Sequence, residues 1–145
     1  MKIRLFALAL LLLPACVTPI LPQDTPAVDD YAQAYNNDVR WGRWHEAAAQ
    51  VEPERRSAFL KLLDDSQTPF RFTSCDILSA RPVTEDGTEV EVLVALEFYR
   101  LPSVKERKVR QVQHWRYDVD DKKWVVTPDL SVLAGIDVGE GPVGR

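Results

Sequence analysis

Cysteine, histidine and surplus basic charge are scarce in this chain of 145 residues. It has two cysteines, Cys16 and Cys75, so a multi-bridge disulfide scaffold is excluded. It has two histidines, His45 and His114, in no motif that would place them on a metal. There is no CxxC, HExxH, GxGxxG, GxSxG or Walker-type loop, so no motif asks for a metal, nucleotide or other cofactor. Lys and Arg total 18 against 22 Asp and Glu, a net charge of −4. A nucleic-acid binder would show a clustered basic surplus. No apolar run reaches the roughly 20 residues that a membrane-spanning helix needs.

The one long apolar stretch opens the chain, in "MKIRLFALALLLLPAC". Lys2 and Arg4 form a positive n-region, and the leucine-rich run to Leu13 has the length of a signal-peptide h-region. Leu13, Pro14, Ala15 and Cys16 resemble the bacterial lipobox, with Pro14 departing from the usual small residue. The resemblance implies a lipoprotein cut before Cys16, whose sulfur carries a diacylglycerol. Each buried methylene adds about 0.8 kcal/mol, so two or three chains hold a protein on a bilayer. Val17, where an aspartate would mark inner-membrane retention, points to the outer membrane, facing the periplasm. Without the leader the chain carries 16 basic and 22 acidic residues. With Cys16 lipidated, Cys75 in "FRFTSCDIL" has no intramolecular partner and reads as a small apolar strand residue.

Four segments follow: a signal peptide (1–15), a lipidated N-terminus and tether (16–29), a folded domain (30–128) and a flexible tail (129–145). The tether holds three prolines, which fix φ and favour extended chain. A first helix is predicted from Asp29 or Asp30 as N-cap, with Tyr31, Ala34, Tyr35 and Val39 on its apolar side. Gly42 in "RWGRW" breaks it, and one tryptophan could stand at the surface kink there. A second helix spans Trp44 to Val51. A third starts at Pro53 and carries Ala58, Phe59, Leu62 and Leu63. The period then changes to two. Strands are predicted from Phe70 to about Ala80, over 89–99, over 108–119 and from Trp124 to Thr127. Asp86-Gly87 is a hairpin signal between the first two.

Helices first and then strands in hairpin order indicate an α+β domain, helices packed on a curved antiparallel sheet of about four strands. The order, with "DVRWGRWHEAA", "VEVLVALEFYR" and "VQHWRYDVDDKKWVV", is similar to the NTF2-like (cystatin-like) superfamily. Within it the chain resembles small bacterial lipoproteins of unassigned function. Some enzymes of that superfamily use an aspartate and a histidine inside the cone between helices and sheet. Asp38 or Asp76 with His114 would be the counterparts here. Strand parity instead sets His114 on the outer face, opposite Trp115 and Tyr117. Gln111 and Gln113 share the inward parity; they either line an open polar pocket mouth or sit where the helices leave the sheet uncovered, and partial exposure, favoured over ligand recognition, would spare them the cost of burial. "KERKVR" reads as a solvated strand start that could pair with the acidic "EVEVLVALE" strand.

The resulting expectation is a membrane-anchored envelope lipoprotein acting as a binding or assembly module, with no catalytic residues assigned. Its partner would be a second copy or another envelope protein, held through a sheet face bearing Leu93 and Tyr99. The alternative is a small-molecule carrier or enzyme using the cone. Gln111, Gln113, His114, Leu93 and Tyr99 are the candidate pocket or interaction residues, and Cys16 is the lipidation site.

Overall fold

The computed structural model describes residues 25–64 and 69–134. The leader, Cys16 and most of the tether lie outside the described residues, as does the tail from 135. No helix among the described residues is long and apolar enough to cross a membrane.

Helix α1 covers Val28–Arg40. It starts before the aspartates expected to cap it. Ala27 is the N-cap, without a side-chain bond, and Asp29 and Asp30 sit in the first turn. There their charge meets the positive end of the helix dipole. Gly42 ends the helix as expected, with φ +68°. The Gly42 N–H bonds to the Val39 carbonyl at 3.1 Å and the Arg43 N–H to that of Asp38 at 2.9 Å. That pair of bonds is a Schellman termination, which favours glycine at the left-handed position. Helix α2, Trp44–Gln50, follows at once. Arg56 then donates to the Ala49 and Val51 carbonyls, satisfying acceptors that the short helix leaves open. A 3₁₀ turn at Pro53–Arg55 leads into helix α3, Arg56–Leu63.

Four strands form one open antiparallel sheet in the order β1-β2-β3-β4. They are β1 (Phe70–Pro82), β2 (Glu89–Arg100), β3 (Arg107–Asp118) and β4 (Lys123–Pro128). Strand β1 shifts register against β2 between Phe72 and Ser74 and again between Ile77 and Ser79. Such bulges bend an edge strand and spoil it as a template for further pairing. The β1–β2 connection turns at Gly87, φ +72°, where Asp86 accepts bonds from the Thr88 N–H and hydroxyl. Asp118 likewise accepts the N–H groups of Asp120 and Asp121 in the β3–β4 turn. Hydrogen bonds from Thr84 and Thr88 hold the Asp86 carboxyl below the usual carboxylate range, and those from Asp121 and Asp120 do so for Asp118.

The helices cover one face. Val90, Val92, Val94, Leu96 and Phe98 of β2 are buried beneath them, as are Trp115 and Tyr117 of β3. Tyr35 and Trp115 meet edge to face at 5.8 Å, and Tyr35 lies 6.1 Å from Phe59. The α+β architecture and the inward parity of Trp115 are therefore as the sequence pattern indicates. Several details differ. Ala32 and Asn36, not Ala34, complete the buried side of α1. Leu63 is buried, Leu62 only half so, and Ala58 is exposed. Val119 falls in the turn after β3 and is exposed. The expected tail does not start at 129. Ser131–Ala134 form a short helix, α4, and Leu133 is buried with only 3% of its surface exposed. An apolar side chain that can cover the end of the core gains more from burial than from solvation.

Candidate functional site

The cone between helices and sheet is closed by polar side chains. Gln111 and Gln113 are not at an open mouth: both are buried, at 3% and 1% exposure, and so is Asn36 of α1 at 1%. That corrects the expectation of partial exposure, and the reason lies in their pairing. Gln113 Nε2 donates to Asn36 Oδ1 at 2.8 Å, and Asn36 Nδ2 donates back to Gln113 Oε1 at 3.1 Å. Asn36 Nδ2 also reaches the Ala32 carbonyl, at 2.8 Å. Trp115 Nε1 donates to Gln113 Oε1 at 3.3 Å. Gln111 Nε2 donates to the Asp129 carbonyl at 2.9 Å, fastening the segment before α4 across the sheet. Carboxamides that both donate and accept can satisfy one another out of water. The cavity left among them, lined also by Tyr35, Phe59 and Leu133, is about 10 Å³. That holds at most one water.

His114 lies on the opposite, outer face. Its Nδ1 is 3.6 Å from Glu91 Oε1, and its side chain is exposed. Asp38 is on a helix beneath the inner face, 2.6 Å from Arg43 Nη2. Asp76 accepts a bond from the Ser74 hydroxyl. It sits opposite Ala95, whereas His114 sits opposite Glu91. Four residues along a strand is about 13 Å. Neither aspartate meets His114. Among the described residues no group of three or more His, Cys, Asp and Glu is placed to hold a metal.

Leu93 and Tyr99 share the outer face with His114, and both are half-buried. Leu93 pairs across the strands with Val112. Ion pairs frame this small apolar stripe: Arg81 with Glu91, and Lys108 with Glu97, each at 2.5 Å. The second is the pairing expected between "KERKVR" and the acidic strand. The Arg81 guanidinium, hydrogen-bonded to Glu91, holds that carboxyl below its ordinary range.

Cys75 pairs with Leu96 and points at the inner face, half-buried. Burial pushes its thiol up to about 12; Arg40 opposes that shift and Asp76 adds to it. A thiol so raised is a poor nucleophile at neutral pH.

A wide concavity among the described residues is one that no sequence motif marked. An open furrow of about 490 Å³ runs between the α1–α2 junction and the start of β1, lined by Arg40, Trp41, Trp44, Phe70, Arg71 and Phe72 among others. Phe70 and Phe72 stack at 6.0 Å, and Trp44 meets Phe72 edge to face at 6.0 Å. Trp41 remains 64% exposed. Its indole N–H bonds to Asn37 Oδ1 at 3.1 Å, and the Arg40 guanidinium lies 5.5 Å from its ring centre. The "RWGRW" kink thus does present a tryptophan to solvent. Comparison with protein families, curated proteins and solved structures finds no match to this chain.

Proposed function

We propose that the chain is a lipid-anchored envelope protein of NTF2-like (cystatin-like) type, acting as a binding or assembly module through its outer surfaces. Cys16 carries the lipid, the chain from Val17 to the start of α1 at Val28 forms the tether, two residues shorter than expected from the sequence, and Val17 favours the outer membrane, facing the periplasm. The observation that supports an exterior role is the filled cone: a cavity of about 10 Å³ leaves no room for a carried molecule or a substrate. With Asp38 and Asp76 both away from His114, the geometry favours a module that presents surfaces over one that encloses a reaction. The face bearing Leu93, Val112 and Tyr99 is the surface proposed for a second copy or another envelope protein.

Two measurements test this. Wild-type protein should take up labelled fatty acid and fractionate with membranes, while Cys16→Ala should do neither. Leu93→Glu should weaken association seen by sedimentation while its melting temperature stays near that of the wild type, and His114→Ala should leave both unchanged. Labelling that persists in Cys16→Ala removes the anchor. A monomeric wild type that a small ligand stabilises in a His114-dependent way reverses the choice between surface and pocket.

A further inference from the structure

We propose that the furrow between the α1–α2 junction and the start of β1 binds the carboxylate-bearing glycan of the cell wall, an assignment that rests on the envelope reading above.

Charge is the first ground. Arg43, Arg81, Lys108, Arg116 and Lys123 each lie between 2.5 and 3.4 Å from a carboxylate oxygen. Arg40 and Arg71, which line the furrow, have no acidic partner among the described residues. Arg110, also without an acidic partner among the described residues, is exposed beside Ala95, Leu96 and Val109, where no aromatic ring stands. Arg40 packs over the Trp41 ring and Arg71 donates one bond to the Phe70 carbonyl, so in a chain with more acids than bases two guanidiniums beside one furrow keep donors for an anion. Arginine holds a carboxylate with two parallel bonds, and sheds water more readily than lysine.

Shape is the second. The furrow is open rather than enclosed, so it suits a length of polymer better than a small molecule, which is usually buried over most of its surface. The ring it presents to solvent is that of Trp41, beside the half-buried Trp44, with Phe70 and Phe72 buried behind them. Trp41 is held by Asn37 and Arg40 although most of its surface meets solvent. The face of an aromatic ring is electron-rich. The polarised C–H groups on the flat side of a sugar ring are attracted to it. A ring face next to a guanidinium matches a sugar unit that carries a carboxylate nearby. The rotamer cost of presenting the indole is already met by the Asn37 bond, which favours binding.

Position is the third. The tether enters at Pro26, whose carbonyl accepts a bond from Trp124 Nε1 at 2.8 Å, at the N-terminal end of α1. The furrow is at the other end of that helix, 13 residues on. At 1.5 Å per residue the separation is about 20 Å. The site therefore stands away from the anchored end of the domain, where a wall polymer can reach it.

The test is co-sedimentation of the full-length, lipidated protein, in detergent, with purified cell-wall sacculi. Wild type should pellet with them. Arg40→Glu/Arg71→Glu and, separately, Trp41→Ala should lower the affinity by about tenfold or more, since each removes charge-assisted or stacking contacts. All three side chains line an open surface, and thermal melts close to the wild type will show that the variants fold. Sacculi whose carboxylates have been amidated should lose the protein. Unchanged pelleting of both variants, or equal pelleting with amidated sacculi, overturns the proposal. So does Arg40- and Arg71-dependent binding that prefers polyglutamate or phosphatidylglycerol vesicles to sacculi. Fatty-acid labelling of the same preparation separates the two readings. A labelled protein that fails to pellet refutes the glycan, whereas an unlabelled one that pellets through Arg40 and Trp41 supports the furrow and removes the anchor.

Discussion

Replacing Gln113 with leucine removes the hub of the interior network while keeping the side chain's volume. Two buried groups lose their partner at once, Asn36 Oδ1, bonded at 2.8 Å, and Trp115 Nε1, at 3.3 Å, and Gln111 Oε1 loses a longer bond of 3.4 Å. Asn36 Nδ2 retains the Ala32 carbonyl. A buried polar group left unpaired costs about 1–3 kcal/mol. The more apolar leucine returns about 1 kcal/mol of that. A net loss of about 2–4 kcal/mol is expected, and at about 4–8 °C per kcal/mol the melting temperature falls by roughly 10–25 °C. The double variant Asn36→Leu/Gln113→Leu removes both carboxamides and should be more stable than the sum of the single losses implies, by about 1–2 kcal/mol. Urea and thermal melts of the four proteins read the cycle. If Gln113→Leu melts within about 2 °C of the wild type, or the two losses simply add, the amides are hydrated and the cone is open. That would also remove the main ground for placing function on the exterior.

Two further outcomes follow from titrating groups. In a Cys16→Ala background Cys75 should resist iodoacetamide at neutral pH and react faster as the pH rises toward about 12, the value to which burial pushes it; fast alkylation at pH 8 would place the thiol in solvent. The Asp86 and Asp118 carboxyls are both depressed by hydrogen bonds in their turns. Their contribution to stability is complete above the unfolded value of about 4 and is lost as pH falls through the lower folded values. Asp86→Asn/Asp118→Asn should therefore flatten the acid limb of the stability profile, and an unchanged limb would show that other carboxylates set it.

Periodicity carried the sheet. Val90 to Phe98 alternate so cleanly that one face had to be buried, and that alternation fixed the inward parity of Trp115 and the outward parity of His114. Gly42 and Gly87 were legible because both positions need a left-handed φ that other residues rarely adopt. The bulges in β1 were not legible. No residue type in "FRFTSCDILSARP" marks where a register shifts, and the shift depends on the partner strand. The burial of Gln111 and Gln113 was missed for a different reason. Their cost was visible but their partner was not, because Asn36 is 77 residues away. A signal did exist. Asn36 stands four residues after Ala32 and next to Tyr35, on the side of α1 that packs inward, and a third carboxamide there could have been matched to the inward pair. The furrow had no such signal, since Trp44 meets Phe72, with Trp41 beside them, only once the fold brings the α1–α2 junction against β1.

The interior network and the exterior surfaces bear on one another. A cone lined by three interlocked carboxamides specifies one packing of α1 on the sheet, because any slip would orphan buried donors and acceptors. Fixing α1 fixes its C-terminal end, and with it Arg40, Trp41 and the kink at Gly42. The furrow's geometry is thus set by contacts that begin at Asn36, about one helical turn before Arg40. From Cys16 to Val28 the chain spans 12 residues. Fully extended, that is at most about 43 Å. On the proposed lipid anchor at Cys16, a domain on such a leash would offer its outer sheet face and its far end to different partners, which a domain closed around an internal ligand would have no need to do.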